Sequence, residues 1–327
     1  MLTLHSTIEH WPMKEPFEIS RETMTELPLL TITLTDQNGV SGRAEAAGVD
    51  YDGETPASMA AQIEVILKNL HADIAGDVLN CLLPSGGARN AVDCALWDLR
   101  AKRNGVPAWQ SAGLAQLQPV LTSFTIGLGS AEETRQRARA ARNMPLIKIK
   151  ADGHRHIDIV EIVRDELPQV RLIIDANQAW DIHLLEALLP QLLAAGVELI
   201  EQPLPRHEDA VLGRLRSPIP LAADESCTDR GSLLALAGRY QAVNIKLDKC
   251  GGLTEALAMV RQARELGLDV MVGNMCGTSL GMAPAFLVAQ WANWTDLDGP
   301  LLQRGDRQFA MSYVDGEVHP PSSELWG

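Results

Sequence analysis

The chain has no paired-cysteine motif. Its five cysteines (Cys81, Cys94, Cys227, Cys250 and Cys276) include no CxxC and follow no regular spacing. That argues against a disulfide framework and predicts free thiols in a reducing, cytoplasmic compartment. No window holds a run of apolar residues long enough for a membrane-spanning helix. Residues Met1 to Trp11 carry His5, Glu9 and His10 where a secretory leader would be basic and then apolar, so none is expected. Positive charge is scarce: 28 lysines and arginines stand against 42 acids, a formal net charge of −14. Nucleic acid and anionic membranes are therefore poor partners, although a local site can still take an acidic small molecule. No GxGxxG follows any strand-like run, which argues against a doubly wound dinucleotide fold.

What is present is an ordinary soluble composition over 327 residues, room for one large domain or two smaller ones. The first part reads as short strands. Leu29–Thr35 alternates, Asp36-Gln37-Asn38-Gly39 has hairpin chemistry, and Val40–Ala46 is the expected partner. Glu15–Glu26 and Val49–Glu54 are polar and irregular, and are expected to be loops over a site. Helical stripes follow at Pro56–Leu70 and Ala88–Asn104, the second closed by Gly105 and Pro107. Strands followed by helices predict a small α+β domain over residues 1–115.

From Val120 the texture changes to strands alternating with helices. Seven apolar runs end at Lys150, Asp175, Glu201, Asp224, Lys246, Gly273 and Asp298, in steps of 25, 26, 23, 22, 27 and 25 residues. That near-constant period is the βα unit of a parallel barrel, and Ser123–Ile126 supplies an eighth strand. The fold class is therefore α/β: a (β/α)7β TIM-like barrel over 116–301 with an N-terminal α+β capping domain.

The strand ends carry charge. Leu146-Ile147-Lys148-Ile149-Lys150 places Lys148 and Lys150 on one face of a strand and the isoleucines on the other. Buried lysines need partners, and three acids, Asp175, Glu201 and Asp224, close the next three strands. Lys246 closes the sixth strand, and Asp296 and Asp298 lie at the eighth. In a barrel these ends converge on one mouth. Three converging carboxylates need a cation, and all-oxygen ligation suits Mg²⁺ (one per chain, or Mn²⁺) rather than zinc, for which no histidine or cysteine pair has the spacing. His154 and His156 are expected to be solvated loop residues. Metal-bound carboxylate acidifies the adjacent carbon and stabilises an enediolate. A lysine whose pKa is depressed by burial and cationic neighbours can then act as base. Lys150 and Lys246, approaching from opposite sides, would perform a 1,1-proton transfer, the chemistry of a racemase or epimerase.

These motifs resemble the enolase superfamily, muconate-lactonising subgroup. The resemblance runs through Ala91–Asp98, Lys148-Ile149-Lys150, Asp175-Ala176-Asn177, Ile200-Glu201-Gln202-Pro203, Ala223-Asp224-Glu225-Ser226 and Asn244–Lys249 before Gly251-Gly252. It implies Lys150 and Lys246 as the acid/base pair and Asp175, Glu201 and Asp224 as metal ligands, with Asn177 and Asp248 supporting them from behind. It also implies that the C-terminal tail, about 302–327, returns to complete the cap. Asp296-Leu297-Asp298 is similar to the signature of dipeptide epimerases, including L-Ala-D/L-Glu epimerases, in which the two aspartates hold the substrate's ammonium group. Lys148 and Thr125 are placed in the same substrate site. At the position where Ala-Glu enzymes carry an arginine this chain has Met24, with Arg21 nearby, which favours an apolar or uncharged C-terminal side chain over glutamate. The expected activity is Mg²⁺-dependent epimerisation at the Cα of the C-terminal residue of an L-Ala-X-type dipeptide, and the resemblance implies a role in cell-wall peptide metabolism. The alternatives are an N-acylamino-acid racemase or o-succinylbenzoate synthase, and, in another class, a catalytically silent barrel that only binds. A homo-oligomer is compatible with the sequence, which does not set the number of copies.

Overall fold

The computed structural model describes residues 2–18 and 23–327. Arg21 lies outside them. The cap begins as a three-stranded antiparallel meander, Thr3–Glu18, Thr23–Thr35 and Ser41–Ala46. The predicted turn joins the last two: Asp36 Oδ1 accepts the N–H groups of Asn38 at 2.8 Å and Val40 at 3.0 Å, and Gly39 takes φ +82°. Helices Pro56–Ile66 and Gly87–Asn104 cover the sheet, and Gly76–Leu82 packs on the second of them. The long helix packs so closely that a Cβ on Gly42 would lie 2.2 Å from Ala95 O and Leu99 N.

At residues 15–18 and 23–26, Glu15–Glu26 is not the loop its polar composition suggests; residues 19–22 lie outside the described residues. The first two strands continue into it, pairing Phe17 with Met24 and Glu18 with Thr23 after a register shift between Pro12 and Phe17. Phe17 and Met24 are apolar and lie opposite one another, so cross-strand packing extends the hairpin past the polar residues around them.

The second unit is an eight-stranded parallel sheet in sequential order: Phe124–Ile126, Leu146–Lys150, Arg171–Asp175, Val197–Glu201, Leu221–Ala223, Ala242–Ile245, Asp269–Val272 and Trp294–Thr295, hereafter barrel strands one to eight. A hydrogen bond from Ser123 N to Thr295 O, 2.8 Å, brings the chain leading into strand one against strand eight. Alternation then divides the side chains. Leu146, Ile173, Leu199, Ala222, Ala242 and Met271 form one small cluster inside the sheet, while Ile147, Ile149, Ile174 and Ile200 join the larger core shared with the helices. Residues two or four positions along from members of that cluster include Lys148, Lys150, Asp175, Glu201, Asp224 and Lys246, and Asp296 and Asp298 stand at the same steps from Trp294, which packs against it. One parity thus gives the barrel a dry floor and a charged mouth.

The tail crosses back to the cap. Met13 bridges Gln303, and Arg43 donates from Nε to Leu325 O at 3.0 Å. Trp326, itself buried, donates to Cys94 O at 3.1 Å.

Candidate active site

Each charged strand end is buried, and each is paired. Lys148, 1% exposed, sits among the carboxylates: its Nζ is 3.0 Å from Asp175 Oδ2, 2.7 Å from Glu201 Oε2 and 2.8 Å from Asp296 Oδ2. Lys150 donates to Asp175 Oδ2 at 2.7 Å and to Asn177 Oδ1 at 3.0 Å. Lys246 donates to Asp224 Oδ2 at 2.8 Å, while Lys249 holds the other oxygen at 2.6 Å and also donates to the Asp224 carbonyl. Asn244 donates to Glu201 Oε1 at 2.7 Å.

The barrel register explains these pairs. Lys150, Asp175 and Glu201 are direct neighbours across strands two, three and four, so their side chains project from the same level. Asp224 lies just beyond strand five, and Lys246 just beyond strand six, where it begins the short helix Leu247–Cys250.

Burial opposes charge on Lys148, Asp175, Glu201, Asp224 and Lys246, and the neighbours decide the outcome. Against burial, Lys148 and Lys150 hold Asp175 below the usual carboxylate range. Lys246 and Lys249 do the same for Asp224. Glu201 goes the other way: burial, then Asp175, push it up to about 8 despite Lys148. The depression expected of a base lysine is not found at Lys246. Burial lowers it, but Asp224 and Glu201 more than reverse that and leave it above the ordinary lysine range. Lys148 is raised as well, by Asp175, Asp296 and Glu201.

As they stand, the acids are not drawn round one point: no group of three acidic, imidazole or thiol side chains among the described residues is gathered tightly enough to hold an ion. The donor chemistry nevertheless fits a divalent ion. Asp175, Glu201 and Asp224 are three buried carboxylates of the kind hard cations take. Glu201 Oε2 has no hydrogen bond; its 2.7 Å approach to Lys148 is an ionic contact without directional geometry. A buried carboxylate oxygen left in that state, its group raised by burial and then by its acidic neighbours, is suited to a cation.

Above these groups lies a cavity of about 440 Å³. Lys150, Asn177, Asp224 and Lys246 form its base, Asn274, Met275 and Cys276 one wall, and Phe17, Met24, Gly48 and Tyr51 of the cap its cover. Asp175 and Glu201 lie beneath it, fully buried. Asp296 and Asp298 do not line it either. Asp296 accepts from Ser123 Oγ at 2.9 Å as well as from Lys148, and stays below the usual range because Lys148 outweighs burial. Asp298 accepts from Thr125 N at 2.7 Å, and burial and Asp296 push it up to about 7. Thr125 faces an adjoining cavity of about 180 Å³. Asn177, at φ +43°, donates its N–H to Asp175 Oδ1 at 2.9 Å. Asp248 reaches the cap, accepting Gly48 N at 3.0 Å. His154 is exposed, and His156 caps the helix Ile157–Glu166 through its own ring nitrogen, so neither joins the site.

Several contributors were not singled out by sequence reasoning. Asn244 precedes Lys246 by two and shares its inward parity, so the alternation already contained it. Lys249 returns from a one-turn helix, and Ser123 and Gln202 lie outside the strands, where alternation gives no signal.

Residues 130–324 match the family model described as "Enolase C-terminal domain-like", and residues 1–113 match "Mandelate racemase / muconate lactonizing enzyme, N-terminal domain". Among curated proteins, the chain is 37% identical to an L-Ala-D/L-Glu epimerase of Escherichia coli (strain K12), over 98% of this chain and 100% of that one. It is 43% identical to an N-acetyl-D-glutamate racemase of Pseudoalteromonas sp, over 75% and 78%. Among solved structures, it superposes with TM-score 0.97 on an enolase family member from Agrobacterium tumefaciens with homology to dipeptide epimerases, which holds sodium and L-Ala-L-Glu. The two are 40% identical and cover 100% of each other. A dipeptide epimerase from Methylococcus capsulatus complexed with Mg and L-Arg-D-Lys is 27% identical, with TM-score 0.87, covering 97% of this chain and 96% of that one.

Proposed function

The chain belongs to the mandelate racemase/muconate lactonizing enzyme branch of the enolase superfamily, and from that premise we propose that it is a Mg²⁺-dependent dipeptide epimerase. The observation that carries this reading is that Lys150 and Lys246 both line one cavity, from strands two and six of an eight-stranded barrel. Strands four apart in such a ring stand opposite one another. A Cα–H held between the two lysine side chains can lose its proton to the one that is a neutral amine and regain a proton on the opposite face from the other, an ammonium.

The substrate is a dipeptide lying with its C-terminal residue between the lysines. Asp175, Glu201 and Asp224 would hold Mg²⁺. When bound, that ion supplies positive charge to the substrate's carboxylate. Lys148 and Asn177 fix the carboxylates, and Phe17, Met24 and Tyr51 keep water from the reacting carbon. The Asp296-Leu297-Asp298 motif assigns the dipeptide's ammonium group to Asp296 and Asp298, which would exchange their bonds to Lys148, Ser123 and Thr125 for it. The E. coli and A. tumefaciens relatives make L-Ala-L-Glu the first dipeptide to test. Met24, facing the cavity, makes L-Ala with an apolar partner the second. The five free cysteines support a cytoplasmic location.

One observation favours a second reading, racemisation of an N-acylated amino acid. Asp296 is already engaged by Lys148 and Ser123, and Asp298 by Thr125 N, so neither is held ready for an ammonium group. Incubation with Mg²⁺ and either L-Ala-L-Glu, L-Ala-L-Leu or N-acetyl-L-glutamate, followed by chiral chromatography, separates the readings. Epimerised free-amine dipeptide supports the first. Turnover of the acetylated substrate alone replaces it with the second.

A further inference from the structure

Behind the carboxylates lies a buried polar network that the proton transfer does not use. Gln202 follows Glu201 directly and is 0% exposed. It holds φ +33°, a backbone conformation that residues with a Cβ adopt only when their surroundings enforce it. The ladder between strands four and five ends here, with Gln202 N donating to Ala222 O at 2.8 Å. Asp224 lies past the end of that ladder, and its N–H is satisfied by the Gln202 side chain instead: Oε1 accepts from Asp224 N at 2.9 Å and from Ser226 N at 3.1 Å.

The other end of the same amide is anchored. Gln202 Nε2 donates to Leu204 O at 2.8 Å and reaches Ser226 Oγ and Tyr240 OH, each at 3.0 Å. Both hydroxyls then donate onward to Asp209 Oδ2, at 2.6 Å from Ser226 and 3.0 Å from Tyr240. Asp209, buried, takes Arg239 on its second oxygen at 2.8 Å. The Asp209 carboxylate accepts from both hydroxyls, which leaves each with lone pairs facing the amide. The two amide hydrogens are shared among Leu204 O, Ser226 Oγ and Tyr240 OH, so Nε2 belongs on this side and the Gln202 carbonyl turns toward Asp224 N.

We propose that Gln202, oriented by Tyr240, Ser226 and Asp209, is a positioning residue that sets the separation of Glu201 and Asp224 for a divalent ion. The proposal rests on the metal-dependent reading above. It assigns a site role to Tyr240 and Asp209, which lie outside the cavity.

Tyr240→Phe removes one hydroxyl from the network with no change in bulk, and Ser226→Ala removes the other at a half-buried position where alanine is tolerated. Mg²⁺ binding to each variant and to the unsubstituted protein is measured by titration calorimetry, with thermal unfolding of the metal-free forms alongside. Either variant should weaken Mg²⁺ binding by about 10-fold, as loss of a partner behind a metal ligand does, while kcat at saturating Mg²⁺ falls by much less. A lowered Tm with Mg²⁺ affinity within about twofold of the unsubstituted protein would make the network a packing feature and overturn the proposal. Should Tyr240→Phe not fold, Ser226→Ala decides alone. Failure of the unsubstituted protein to bind Mg²⁺ overturns the metal reading itself and this proposal with it.

Discussion

Lys150 and Lys246 are distinguished from the other buried lysines by what they can reach. Lys148 and Lys249 are enclosed by carboxylates and carbonyls, whereas Lys150 and Lys246 keep one side on the cavity. Replacing Lys150 or Lys246 by methionine should lower epimerisation by about 10²–10⁴-fold, the range of a lost general acid/base group. Each variant should still exchange the proton of one epimer, the one that its remaining lysine faces. Exchange of both epimers by either variant would contradict a two-base scheme. Asp248 tests the electrostatics of the cap junction. Burial, opposed by Gly48 N and Asn90 and reinforced by Glu54 and Glu45, pushes it from 3.8 up to about 7. Between those values the folded chain keeps a proton that the unfolded chain has released, so the stability Asp248 contributes is complete at the acid end and lost as pH rises toward 7. Asp248→Asn should therefore flatten the decline in Tm between about pH 4 and 7. An unchanged slope would place Asp248 in a more polar environment than its burial indicates.

At the scale of elements, the cap reaches the barrel through exposed ion pairs. Arg206, after strand four, binds Asp52 at 2.6 Å, and Arg155, after strand two, binds Glu18 at 2.9 Å. Such pairs contribute roughly 0–1 kcal/mol. Asp52→Asn should therefore raise KM by at most about fivefold, with kcat nearly unchanged and the effect fading as salt rises. A loss in kcat instead would mean that the loop orders the lysines. These loops were also the least legible part of the chain. Apolar runs recurring at a near-constant step located the eight barrel strands, and the strand ends Lys150, Asp175, Glu201 and Lys246 share one parity because a dry floor beneath and a helix layer outside enforce it. Glu15–Glu26 has no such constraint. Its polar residues hid a hairpin that the Phe17–Met24 pair sustains. Asp296 and Asp298, expected on the eighth strand, lie just past its end at Thr295, and their partners Lys148, Ser123 and Thr125 come from in or beside strands one and two, which no local pattern connects to them.

The whole molecule is a charged barrel mouth under a cap that cannot be removed piecemeal. The first strand bridges the tail at Met13 and Gln303, the tail's Arg307 pairs with Glu45 at 2.8 Å and stacks on Trp11, and Trp326 is buried against the long cap helix. Neither unit closes the cavity alone, since the reacting groups come from the barrel and the cover from the cap. A net charge of −14 surrounds a pocket whose only cations among the described lining residues are Lys150 and Lys246. On the proposed reading, those two lysines exchange a proton with one carbon of a bound dipeptide. That exchange is read by incubating the full chain with Mg²⁺ and L-Ala-L-Glu in D₂O and following the C-terminal Cα by NMR. Deuterium should enter that carbon as the L,D epimer accumulates, and chelation of the metal should stop both. No exchange at any Cα, with L-Ala-L-Glu or across a library of dipeptides, would contradict it.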